Sequence, residues 1–243
     1  MPRVSINGQQ LEAAPGRLFR VPGRYAPLPA LAVGLLMLWL LAGCANGTRA
    51  PIVNIFTDSF TTFAKNGDQA ERAAEIPFAS LSIDTGERSG LVVLGASSEP
   101  DTFWPMGHHG LVSLRHDGLQ ATAGLDEDLL DTRYRHGGQG TLPPWQQQTP
   151  DPFELTRTWQ DTEGLMHRLS ARGRLVCGPA QQRELPLATL ALEPCALTLD
   201  WQDGSTTQGT LWRDPASFHL WAGEEQAWPD GPTIRWEVAR QWW

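Results

Sequence analysis

Residues 195–204 read Cys-Ala-Leu-Thr-Leu-Asp-Trp-Gln-Asp-Gly, and this stretch decides the fold. Cys195, Leu197, Leu199 and Trp201 alternate with Ala196, Thr198 and Asp200. That is the period of two that places every second side chain on one face of a strand. Asp203-Gly204 then supplies a hairpin turn. Upstream, Leu187 to Leu192 is a further apolar run, closed by Glu193-Pro194. Phe153, Leu155, Arg157 and Trp159 alternate, Asp161 to Gly164 turns, and Leu165 to Cys177 returns, with a bulge expected near Gly173. Downstream, Leu211-Trp212, Phe218 to Trp221 and Thr233 to Val238 supply the last strands.

The first half has the same grammar. Ala79, Leu81 and Ile83 alternate with Ser80, Ser82 and Asp84, and Thr85-Gly86 turns the chain. Leu91 to Leu94 reads as a buried strand, and the runs at 111–114 and 119–122 flank His116-Asp117-Gly118. Gly124 to Leu130 looks like a short helical turn, and Tyr134 to Pro152 like a long loop joining two lobes. Before the strands, Ile52, Phe56, Phe60 and Phe63 fall at helical spacing, which predicts an amphipathic helix that Asn66-Gly67 stops. The expectation is mainly β: an antiparallel meander, curved sheet or sandwich over residues 52–243, with a short N-terminal helix.

The segment ahead of this body has a different character. Arg24 precedes a short apolar core that ends at Leu41-Ala42-Gly43-Cys44. The apolar centre is shorter than the roughly 20 residues a spanning helix needs. A basic flank, a short apolar core and small residues before the break have the form of a secretory signal. Leu-Ala-Gly-Cys resembles the lipobox of bacterial lipoproteins, which implies removal of residues 1–43, acylation of Cys44 and a tether over 44–51. An uncleaved transmembrane anchor is the alternative. Ala45, where an aspartate would resemble an inner-membrane retention signal, points to the outer membrane and its periplasmic face. Residues 1–23 are polar and long for a signal, consistent with a start codon placed too far upstream.

Charge limits the partners. The chain carries 19 Lys and Arg against 27 Asp and Glu. Loss of residues 1–43 takes Arg3, Arg17, Arg20, Arg24 and Glu12, leaving 15 basic residues against 26 acidic and a net charge of −11. Nucleic acid is a poor partner for such a chain. The membrane is met through the lipid anchor. Cys177 and Cys195 read as a disulfide in an oxidising periplasm, with two buried free thiols as the alternative.

The order of motifs along the body carries a resemblance. Ile76-Pro77-Phe78-Ala79-Ser80-Leu81 is followed by Leu91-Val92-Val93-Leu94, Trp104 and Gly110-Leu111-Val112. Thr122-Ala123-Gly124-Leu125 and Asp128-Leu129 come next. This resembles the YjbF/GfcB family of outer-membrane lipoproteins encoded with exopolysaccharide and group 4 capsule genes. The lipobox and the acidic, Trp-rich second half agree. Pro105-Met106-Gly107-His108-His109 departs from the ordinary polar turn expected there. The resemblance implies an antiparallel β fold and a role in exporting or assembling a surface polysaccharide, with secretion-machinery proteins or the polymer as partners. It implies no catalytic residues.

The residues themselves argue no chemistry. Adjacent His108 and His109 would point to opposite faces of a strand and lack an H-E-x-x-H pattern, so neither a metal nor another cofactor is expected. Gly95-Ala96-Ser97-Ser98-Glu99 lacks the second glycine of a nucleophile elbow and reads as a loop. Asp126, Glu127 and Asp128 read as a solvated turn rather than a glycosidase pair, whose carboxyls must flank a bond about 5–10 Å apart. Tryptophan, whose ring suits stacking on a sugar, is the more open matter. Trp201 is read as core, and Trp228, Trp242 and Trp243 as exposed contacts for glycan or a partner protein. A glycan-modifying enzyme and a purely structural envelope scaffold are the competing functions.

Overall fold

The structure is a computed structural model, and it describes residues 66–136 and 142–243. Cys44, the tether over 44–51 and the helix expected over Ile52 to Phe63 lie outside the described residues. A helix, α1, covers Asn66–Glu75. Asn66-Gly67 therefore lies within a helix, where a stop was expected. The run Ala70-Glu71-Arg72-Ala73-Ala74-Glu75 consists of strong helix formers, and one glycine costs about 1 kcal/mol against it. Ala73 packs with Leu91 and Ala239, and Arg240 donates to the carbonyls of Ile76 at 2.9 Å and Ala73 at 3.4 Å. A guanidinium thus satisfies carbonyls that the end of a helix leaves open.

Fourteen strands follow among the described residues: β1 Ser80–Asp84, β2 Ser89–Val93, β3 Ala96–Ser98, β4 Asp101–Met106, β5 Gly110–Arg115, β6 Gly118–Ala123 and β7 Asp128–His136. The others are β8 Phe153–Gln160, β9 Met166–Cys177, β10 Gln181–Leu185, β11 Ala188–Trp201, β12 Thr206–Arg213, β13 Leu220–Gln226 and β14 Thr233–Arg240. They make a ten-stranded sheet in the order β2-β1-β14-β13-β12-β11-β9-β8-β7, with β10 on β11, and a four-stranded sheet β3-β4-β5-β6. Every pairing is antiparallel, as the alternating pattern predicts.

The inward side chains of both sheets share one core. Trp104, Met106, Val112, Leu114 and Leu119 of the small sheet join Leu155, Leu197, Leu199, Trp201, Leu211 and Trp236 of the large one. Cys195, Leu197, Leu199 and Trp201 are all buried, as their alternation requires.

Three local expectations are corrected. Residues 124–130 form no helical turn. Asp128 accepts the N–H groups of Gly124 and Leu125 and the hydroxyl of Thr122, closing a bend from which β7 starts. The segment 134–152 does not separate two lobes, because Tyr134 to His136 belong to β7, which pairs with β8 on its far side. Gly173 is not a bulge. It pairs in register with Phe153 and with Leu199, and an added Cβ would sit 2.2 Å from the Phe153 ring.

Pro194 lies inside the longest strand without breaking it. On one side β11 pairs with β10 as far as Leu192, and from Cys195 onward with β9. The residue without an N–H sits where the ladder changes partner. Just past it, Cys195 stands directly opposite Cys177, and the two form a disulfide.

Candidate functional site

Two of the three tryptophans singled out in the sequence come together. Trp242 packs edge-on against Trp104 with ring centroids 4.8 Å apart, and against Trp243 at 4.4 Å. Trp243 also meets Trp221 edge-on at 5.3 Å and lies parallel to His219 at 4.4 Å, with 4° between the rings. Trp243 is 37% exposed, so the cluster reaches the surface.

His219 is positioned from its own neighbours. Asp214 accepts the N–H groups of Ala216 and Ser217, a carboxylate-capped turn. Phe218 follows in the left-handed region, φ 62°, with the Arg213 guanidinium 4.7 Å over its ring. Arg213 itself is buried. It binds Glu193 at 2.7 Å and donates to the carbonyls of Trp145, Gln147 and Gln148, pinning the loop before β8. His219 Nδ1 then lies 2.7 Å from Asp117 Oδ2. Asp117 occupies the β5–β6 turn, where it and His116 both take positive φ. Burial holds the Asp117 carboxyl above its ordinary range, and the hydrogen bond with His219 only partly offsets this.

A His–Asp pair at this distance is two thirds of a catalytic triad. A triad needs a hydroxyl or thiol on the other ring nitrogen, and none is hydrogen-bonded there among the described residues. The imidazole instead covers one face of Trp243. The arrangement is an aromatic platform with a polar rim, the form that suits stacking on a sugar ring.

Trp228 is elsewhere, and it is buried at 3% exposure rather than exposed. Its turn folds back over it: Gly231 N donates to the Trp228 carbonyl, and a Cβ on Gly231 would stand 2.5 Å from the indole. Trp228 stacks on Trp159 at 5.6 Å, and His167 stacks on Trp159 at 5.3 Å. Its polar sequence neighbours misled; the glycine three residues on was the signal for a covered ring. The pairing of His219 with Asp117 escaped sequence reasoning, the two being 102 residues apart without a motif.

The remaining candidates lie at turns and in a short strand. His108 and His109 sit in the β4–β5 turn with ring centroids 6.3 Å apart. Residues 96–98 form β3 and pair with β4, so the stretch read as a loop is a short strand. Asp128 fastens its own bend, and Asp126 donates its N–H to Glu87.

No family model matches the chain, and no curated protein matches it. Among solved structures, the fold is similar to that of the hypothetical lipoprotein YmcC from Escherichia coli (K12). The TM-score is 0.60 and the identity 12%, covering 72% of this chain and 89% of that one.

Proposed function

We propose that this chain is an outer-membrane lipoprotein facing the periplasm, related to the YjbF/GfcB group, that assists export or assembly of a surface polysaccharide without catalysing a reaction. It acts as an adaptor or glycan-binding module. One coincidence carries the reading: a Leu-Ala-Gly-Cys lipobox precedes a body whose fold is similar to that of a protein described as a lipoprotein. The aromatic platform around Trp243 supports the glycan-binding form of the proposal, since an indole just over a third open to solvent offers a sugar a stacking surface. Acylation of Cys44 would hold the body at the membrane, each buried CH₂ contributing about 0.8 kcal/mol.

The test is surface polysaccharide yield in a deletion strain complemented with wild type or with Cys44→Ala. Loss of polymer on deletion, restored by wild type alone, is the expected result. Unchanged yield on deletion sinks the export role. Mass spectrometry of the N-terminal peptide reads the anchor separately: an unmodified Cys44 refutes it.

A further inference from the structure

A second place on the surface differs from the rest in charge. The edge strands β6 and β7, each the last of its sheet, lie side by side without pairing. Gln120 Nε2 donates to Asp131 Oδ1 at 3.0 Å, and the Leu129 N–H to Thr122 Oγ1 at 2.9 Å, fastening the two edges at one end. Beyond Asp131 they enclose a hollow of about 370 Å³. Arg115, His116, Arg133 and Arg135 line it, with Gln120 and Thr132 between.

No carboxylate is among the described lining residues, in a chain of net charge −8. Three other hollows, of about 640, 520 and 730 Å³, each include at least one glutamate or aspartate. Arg115 is held by Asp101 in a two-pronged contact at 2.8 and 2.9 Å, and Arg133 by Asp131 at 2.6 Å. Those pairs fix two guanidinium forks in place and use part of their charge. Arg135 has no ion pair among the described residues; Glu154 stands opposite it across the β7–β8 ladder without reaching it. Charged residues on edge strands also deter edge-to-edge association. That role explains charge at an edge, but not the grouping of three arginines around one hollow whose described lining has no carboxylate. Planar forks with several N–H donors match the geometry of carboxylate and phosphate oxygens.

We propose that this hollow binds the anionic group, carboxylate or phosphate, of an acidic saccharide. The saccharide half of that statement rests on the glycan-binding reading above; the anion half rests on the hollow alone.

The experiment is calorimetric titration of the full chain in detergent with trigalacturonate, inorganic phosphate and maltotriose. Trigalacturonate is expected to bind and maltotriose not. Affinity should fall about tenfold or more in Arg133→Ser/Arg135→Ser, as loss of charge-assisted contacts predicts. Phosphate bound with the same arginine dependence supports the site and identifies phosphate as sufficient. Trigalacturonate bound without phosphate supports it and identifies a uronate. Binding of neither anion, equal binding by the double variant, or equally tight binding of maltotriose overturns it. If the double variant melts early, Arg135→Ser alone is read by the same criteria, since that side chain holds no ion pair. Should the polymer vanish on gene deletion while the hollow binds neither anion, this inference falls and the proposed function stands.

Discussion

Glu225 and Arg157 are 3% and 0% exposed at their side chains and lie 2.6 Å apart, so each is the other's means of being charged indoors. Arg157 also donates to the carbonyls of Ala227 at 2.7 Å and Gln226 at 3.4 Å. Burial works against its charge, but Glu225 and the Tyr134 hydroxyl outweigh burial and hold it protonated; burial also pushes the Tyr134 phenol above its usual range. Removing one partner leaves the other unpaired, which costs about 3–5 kcal/mol. Glu225→Gln should lose that much in urea denaturation, and Arg157→Met/Glu225→Gln should recover part of it; a single variant as stable as wild type would refute the coupling. Asp117 makes the opposite case. Its folded pKa is raised, so the folded state holds the proton more tightly than the unfolded one. Its contribution therefore favours folding below the unfolded value near 3.8 and is lost as pH rises through the folded one. Asp117→Asn keeps an acceptor for His219 and suits the left-handed φ of 68°. It should raise Tm at pH 7 and flatten the decline expected in wild type from about pH 4 upward. Asp117→Ala loses the acceptor and should melt earlier than wild type at both ends.

At the scale of elements, two strand pairs rest on a glycine beneath an aromatic ring. Gly173 faces Phe153 across β8–β9, and Gly223 faces Trp236 across β13–β14. A Cβ at Gly223 would stand 2.2 Å from the Trp236 ring. Gly223→Ala should cost about 1–3 kcal/mol by overpacking. Gly90→Ala in β2, where nothing lies within 4 Å, should be neutral or slightly stabilising in the same melts. The disulfide closes a separation of 18 residues between β9 and β11, so Cys177→Ser/Cys195→Ser should lose roughly 3 kcal/mol. Chemical denaturation checks this, and mass shift after alkylation without reductant reports whether either thiol is free. These elements also mark what was legible in sequence. Period-two runs and Asp-Gly turns were readable because a half-buried strand and its hairpin are written locally. Gly173 was misread because the ring that needs the space belongs to another strand. Residues 124–130 were misread because helical spacing over a few residues does not reveal that Asp128 will turn back onto the N–H groups before it. The His219–Asp117 pair was invisible for the same reason at longer range.

For the whole molecule, the question is what keeps a four-stranded sheet seated on a ten-stranded one when no ladder joins them. Side chains do it at three places besides the Gln120–Asp131 and Thr122–Leu129 contacts between β6 and β7. Trp145 donates its indole N–H to the His116 carbonyl at 2.7 Å and covers Gly118, so the 3₁₀ turn Pro144–Gln146 clasps the β5–β6 turn. Asp117 reaches His219 just ahead of β13. Trp242, two residues past β14, lies edge-on to Trp104 of β4. The aromatic cluster is therefore a joint between the sheets as well as a platform, and its two terminal tryptophans divide those roles. Trp242 is the joint, half-buried between Trp104 and Trp243; Trp243 is the rim, with one face on His219 and over a third of its surface open. Trp242→Ala should lose about 2–3 kcal/mol, less than a fully buried indole, with its urea m-value unchanged. Trp243→Ala should lose about 1 kcal/mol or less, since much of its surface is already in water. If the platform binds glycan, the same Trp243→Ala protein should lose the fluorescence change on polysaccharide addition while melting near wild type. A Trp243 variant that unfolds as readily as the Trp242 variant would make the whole cluster a joint, and the platform would have to be sought elsewhere on the surface.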